Sequence, residues 1–206
     1  MFIEEVPSSP RSGGTPSHAI NVIHGGQAAG GVVSSSREIY AAMDNHRLTP
    51  RKRVRPSTEG AISFSEEDME HVTSPHCDAL VITPIVADHH VERFLVDIGS
   101  SSNFITLGAV RALGKSEKDL APAEHPLVDF AGGITYPLGI IILPVTLGYG
   151  WKRMEIQVCF SVMDSLGPYQ GILGRTTINT HGIIASTLHQ KMKFYTPHGI
   201  GEMFEG

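Results

Sequence analysis

Phe94-Leu95-Val96-Asp97-Ile98-Gly99-Ser100-Ser101-Ser102 is the stretch on which the fold reading turns. Three apolar residues with strong strand propensity lead into one carboxylate, and Gly99 and the serines then break the run. An aspartate at the end of a rigid strand, followed by small residues, is placed where a substrate or a second copy of the loop can come close. Taken alone, Asp97 reads first as a turn residue whose side chain caps the backbone of Gly99 or Ser100. The neighbouring segments decide between the two.

Upstream, residues 79–86 and 91–96 read as an antiparallel pair, with Ala87-Asp88-His89-His90 as the hairpin turn. Downstream, residues 105–113 place Ile105, Val110 and Leu113 near one helical face and stop at Gly114, as a helix C-terminus does. Residues 126–147 form a further unit bent at Gly132-Gly133. Residues 152–163 put Met154, Ile156, Val158 and Phe160 on one face, the period of a half-buried strand. Gly171-Ile172-Leu173-Gly174-Arg175 precedes a short helix expected over 176–180, and strands are expected over 182–186 and 191–195. Long helices between strands are missing, which argues against a parallel α/β fold and for a mainly β domain.

The rest of the chain sets bounds. Of 206 residues with a formal net charge of −5, the first 60 or so are rich in Ser, Gly, Pro and Ala and hold few large apolar side chains, so they read as a disordered linker. The acidic balance argues against a chain built as a whole to hold nucleic acid. Arg47, Arg51, Lys52, Arg53 and Arg55 are the local exception, a basic cluster read first as a solvated linker and second as a weak RNA contact. No aromatic side chain is interleaved there for stacking on bases. Gly25-Gly26-Gln27-Ala28-Ala29-Gly30-Gly31 lacks the Lys-Ser/Thr of a phosphate loop.

Ser65-Glu66-Glu67-Asp68-Met69-Glu70 reads as a short capped turn of helix, with no catalytic role expected. His71, His76 and Cys77 lack the paired spacing of a zinc site, and no metal or cofactor is expected. Two cysteines, Cys77 and Cys159, are too few for a disulfide framework, and the N-terminus lacks the pattern of a secretory signal. A reducing, cytoplasmic location is expected. The longest apolar run, residues 138–145, is far short of the ~20 residues that span a bilayer, so no membrane role is expected.

In the order of these units the chain resembles the retropepsin-like aspartic proteases, whose loop pattern is apolar-apolar-Asp-Thr/Ser-Gly-Ala/Ser. Leu80-Val81-Ile82, Leu95-Val96-Asp97, Leu143-Pro144-Val145, Ile172-Leu173-Gly174-Arg175 and Lys191-Met192-Lys193-Phe194 are similar to the protease segment of plant gypsy-type retrotransposon gag-pol polyproteins. Ile20-Asn21-Val22-Ile23 and Ile62-Ser63-Phe64-Ser65 resemble the linker before it. The resemblance implies a closed, mainly β acid-protease barrel with one or two short helices over residues 76–197, a linker over 1–75 and a tail over 198–206.

It also implies an aspartic endopeptidase acting on a polypeptide, the polyprotein itself. Asp97 would be catalytic, Gly99 would let the loop turn, and Ser100 would orient the carboxylate. Ala131, Gly132, Gly133 and Ile134 would form a flap over the substrate, Gly174 would pack behind the loop, and Arg175 would be structural. Aspartic proteolysis needs two carboxylates sharing one proton. With one such loop per chain, the site implies a homodimer. The sequence departs from the pattern at Ile98, where the family carries a hydroxyl that bonds the opposing loop. Losing it leaves facing polar groups unpaired at about 1–3 kcal/mol each. A dimerising or peptide-binding module without hydrolysis is the alternative.

Overall fold

The computed structural model of the protein describes residues 60–123, 126–128 and 133–204. The expected linker up to residue 59, with its glycine run and basic cluster, lies outside the described residues, as do Ala131 and Gly132.

The described part is mainly β, as the segment patterns require. An eight-stranded sheet runs in the order β1-β4-β10-β5-β9-β8-β2-β3. Its members are β1 (Val81–Ile82), β2 (Ile85–Val86), β3 (His89–His90), β4 (Phe94–Asp97), β5 (Asn103–Thr106), β8 (Gly139–Tyr149), β9 (Lys152–Met163) and β10 (Gly171–Gly174). β1 pairs with β4 while β2 pairs with β8, and only Thr83 and Pro84 separate β1 from β2. One extended segment therefore touches both ends of the sheet, which curls into a half-barrel.

Ala87 and Asp88 adopt φ of 45° and 65° in the turn between β2 and β3, the left-handed pair that matches strand twist in a tight hairpin. His89 and His90, expected in the turn, fall in β3 and are exposed, so the turn itself is Ala87-Asp88. The hairpin of β8 and β9 is paired without a break from Gly139↔Val162 to Tyr149↔Lys152. Its alternation buries Ile141, Leu143, Val145 and Leu147 against Ile156, Val158, Phe160 and Val162. Phe94 and Phe160 meet edge to face at 5.9 Å in this core.

Two short helices complete the half-barrel. α1 (Leu107–Ala112) starts at Thr106, whose hydroxyl accepts from the Ala109 N–H at 3.1 Å. α2 (Arg175–His181) follows β10 directly and ends at Gly182, φ 65°, where a glycine C-terminus is expected. β6 (Leu127–Val128) and β7 (Ile134–Thr135) form a small antiparallel pair at the expected bend.

A second sheet, β11 (Ile184–Ser186), β12 (Lys191–Thr196) and β13 (Gly199–Phe204), packs on the half-barrel. Here the domain limits differ from those the sequence suggested. The stretch from 198, expected as a tail, is β13, paired with β12 over six residues and burying Met203. Residues 60–75, expected as linker, lie against this sheet as a strap. Asp68, in the 3-10 turn Glu66–Met69, is buried between Lys191 Nζ at 2.9 Å and Lys193 Nζ at 2.7 Å, and the Ser65 N–H donates to the same carboxylate at 2.9 Å. Phe64 stacks on His189 with ring centroids 5.0 Å apart, and Lys193 sits over the Phe64 ring. The strap was concealed by its polar composition, because ion pairs and ring contacts hold it, whereas β13 is held by its backbone pairing with β12.

Candidate functional site

β4 and β5 flank the loop of residues 98–102 but do not pair with each other, because β10 lies between them, parallel to β4 and antiparallel to β5. The loop must therefore arch over the end of β10. Gly174 faces Asp97 in register, and a Cβ built on it would overlap the Ser102 carbonyl and stand 3.2 Å from the Ser100 oxygen. Only glycine fits under the arch. The same argument places Gly171 flat against the Phe94 ring.

The first turn of α2 then ties the loop down. The Arg175 N–H donates to the Ser100 carbonyl at 2.8 Å, and its guanidinium donates to the Ile98 carbonyl at 3.2 Å. The Thr176 hydroxyl donates to the Ser101 carbonyl. Asn103, buried at the start of β5, donates to the Cys159 carbonyl at 3.1 Å and accepts from the Gly174 N–H at 2.9 Å. It thus stitches β5, β9 and β10 together under the loop.

Asp97 closes β4 half-buried, and its Oδ1 accepts from the Gly99 N–H at 2.8 Å. That is the Asx turn which the residues alone allowed. Among the described residues no ion pair reaches this carboxylate, and the Arg175 guanidinium beside the loop is directed at backbone carbonyls. The position offers a fixed carboxylate with one oxygen oriented by backbone and no cation to neutralise it. Ile98, next in the chain, exposes 62% of its surface.

Ser100 is placed differently from the expectation. Its hydroxyl donates to the Ser102 carbonyl at 2.9 Å instead of bonding Asp97, because the loop curls back over Gly174 and brings that carbonyl within reach. Gly99 is where the turn needs it, and its backbone N–H does the orienting expected of Ser100. Of the expected flap, Gly133 and Ile134 are described; both are exposed, with Ile134 on β7. Tyr136 and Leu138 continue that exposed apolar run.

Asn103 and Thr176 are the residues that sequence reasoning missed. An asparagine opening an apolar strand is against propensity and was a legible signal for Asn103. Thr176 carried none, since a threonine in the first turn of a helix is ordinary. Burial pushes the Cys159 thiol above its usual range, which makes it a poor nucleophile. Among the described residues no group of His, Cys, Asp and Glu is arranged to hold a metal ion.

No protein-family model and no curated protein matches the chain. Similar solved structures include the retroviral protease-like domain of Ddi1 from Leishmania major, at 16% identity and TM-score 0.43, covering 57% of this chain and 88% of that one. A retropepsin-like aspartic protease from Rickettsia conorii is similar at 18% identity and TM-score 0.39, over 60% of this chain and 80% of that one. The EIAV protease complexed with the inhibitor HBY-793 is similar at 17% identity and TM-score 0.35, over 56% of this chain and 99% of that one.

Proposed function

We propose that this chain is a retropepsin-type aspartic endopeptidase that acts as a homodimer. The observation that supports it is the placement of Asp97: a carboxylate that makes no ion pair among the described residues, oriented by the Gly99 N–H on a loop that Gly174, Arg175 and Thr176 hold in one shape. A catalytic carboxylate needs that fixed geometry, and the Asx turn leaves the second oxygen of Asp97 open to a partner.

In this reading two chains meet about a two-fold axis and bring their Asp97 side chains together. Like charges that close cannot both ionise, so the pair holds one proton. The ionised member takes a proton from a water as its oxygen attacks the peptide carbonyl carbon. The protonated member hydrogen-bonds the carbonyl oxygen as that oxygen gains charge and passes its proton to it, which gives a tetrahedral diol and returns the pair to one proton. The tetrahedral diol collapses when the C–N bond breaks and a proton passes to the leaving nitrogen, which leaves a carboxylic acid, an amine and the pair with its single proton. Gly133 and Ile134 belong to the flap that closes over an extended substrate. The substrate is a polyprotein of the retrotransposon type, cleaved in the cytoplasm.

A second reading rests on Ile98. An exposed isoleucine in place of a hydroxyl removes a polar link across the axis, and the same fold then serves as a dimerising or peptide-binding module without hydrolysis. Incubating the purified chain with a polyprotein fragment that spans its own residues 1–59, with and without pepstatin, separates the two. Cleavage blocked by pepstatin supports the protease. Binding of the fragment with no cleavage at any pH from 3 to 7 supports the module.

A further inference from the structure

The tip of the hairpin of β8 and β9 exposes a cluster unconnected with Asp97. Tyr149↔Lys152 is its last pair, and Gly150-Trp151 forms the turn. Trp151, the single tryptophan of the chain, is 78% exposed. Tyr149 is 49% exposed and is braced from below by Phe204, at 5.7 Å between ring centroids. Lys152 and Arg153 follow at once, both exposed, and among the described residues neither makes an ion pair. An exposed indole and a half-exposed phenol ring beside Lys152 and Arg153, with Glu202 in the same cleft and Glu155 two residues on, make a mixed surface in which the two cations stand next to the rings, on a chain of net charge −5. An indole so exposed at a rigid tip contributes nothing to the core.

The strap adds to this surface. Ser63 lines the same cleft as Tyr149 and Lys152, and the Tyr195 hydroxyl bonds the Gly60 carbonyl at 3.4 Å.

We infer that this tip binds single-stranded nucleic acid, with bases stacking on Trp151 and Tyr149 and phosphates meeting Lys152 and Arg153. Stacking on an aromatic face is indifferent to base identity, and the cations make affinity fall with salt. The inference does not depend on Asp97 or on hydrolysis.

Because Trp151 is the only indole, its emission reports on the tip without a label. The full chain is titrated with an oligouridine of about 20 nucleotides, with inorganic polyphosphate of similar length, and with phosphatidylserine-phosphatidylcholine vesicles. Oligouridine is expected to quench the emission saturably, and polyphosphate to leave it nearly unchanged. Trp151→Ala should weaken binding, followed by anisotropy of labelled oligouridine, roughly tenfold, and Trp151→Phe by much less. The double variant Lys152→Glu, Arg153→Glu should weaken it further and flatten the salt dependence. All these positions are exposed, and circular dichroism checks that each variant keeps its fold. Oligouridine binding that leaves Trp151 emission and Trp151→Ala affinity unchanged would overturn the inference and leave the basic cluster acting alone. Equal quenching by polyphosphate, a response to vesicles only, or no binding at low salt would overturn it as well.

Discussion

Two aspartates in this molecule sit in opposite circumstances. Asp68 is buried, and two lysines and a backbone N–H surround its carboxylate. Asp97 is half-buried, takes one backbone N–H, and among the described residues makes no ion pair. Burial pushes the Asp68 carboxyl up, but hydrogen bonds from Lys193, Lys191 and the Ser65 N–H, with the charge of Lys191, outweigh it and hold the group well below the usual carboxylate range. Lys191 mirrors it: burial pulls its ammonium down, while Asp68 and Glu202 together raise it. The difference teaches that a carboxylate which stabilises one chain is satisfied within that chain, whereas Asp97 is oriented by one backbone N–H and has an oxygen open to a partner, as the proposed dyad requires.

The largest effect should come from breaking the satisfied site. Asp68→Asn takes their shared counter-ion from buried Lys191, which keeps only Glu202 at 3.3 Å, and from half-buried Lys193, and removing one member of such a group costs up to about 3–5 kcal/mol. Urea unfolding should show this loss, and a chain starting at residue 76 should show at least as much. Asp97→Asn should do the reverse. Asn keeps an oxygen for the Gly99 N–H, so stability should change by about 0.5 kcal/mol or less. Pepstatin-sensitive cleavage should fall about a thousandfold. Equal melting curves for the two variants would erase the contrast.

Acid sharpens the comparison. The folded pKa of Asp68 is below its unfolded value of about 3.9, so the unfolded chain binds more protons as pH falls. Its contribution to stability should be complete above about pH 5 and decline as pH drops through 4 toward the depressed folded value. Urea midpoints between pH 2.5 and 6 should show this slope in the parent chain and a reduced slope in Asp68→Asn.

Smaller effects test how the Asp97 loop is held. Gly174→Ala puts a methyl where the Ser102 carbonyl stands, and relieving such overlap costs about 1–3 kcal/mol. The loop should shift as well, so activity per folded molecule should fall together with the urea midpoint. Ile98→Thr should act on association alone. Two added hydroxyls at about 0.5–1.5 kcal/mol each would tighten a dimer by roughly one to two decades, measurable by sedimentation.

Much of the half-barrel was legible because its core strands alternate. Residues 152–163 have the bounds of β9, and the Phe94 to Asp97 run is β4. The insertion of β10 between β4 and β5 was hidden, since hydrophobic period says nothing about which strands are neighbours. The strap and β13 were hidden for a different reason. Asp68, Lys191 and Lys193 each look like solvated charges in sequence, and only their convergence from positions more than 120 residues apart makes them a core. At the loop, the carboxylate and its glycine could be read directly. Which group orients Asp97 could not, because Ser100 and Gly99 both supply a donor and only the arch over Gly174 selects the N–H.

The central claim is that the site is built from two Asp97 side chains, one from each of two chains. The direct measurement is cleavage of the polyprotein fragment by a fixed amount of parent chain while folded Asp97→Asn chain is added in increasing excess. A shared site predicts that activity falls as mixed dimers replace parent dimers, approaching zero at large excess. Activity that stays constant across the titration, with sedimentation showing that the two chains do mix, would mean that each chain holds a complete site and would contradict the account.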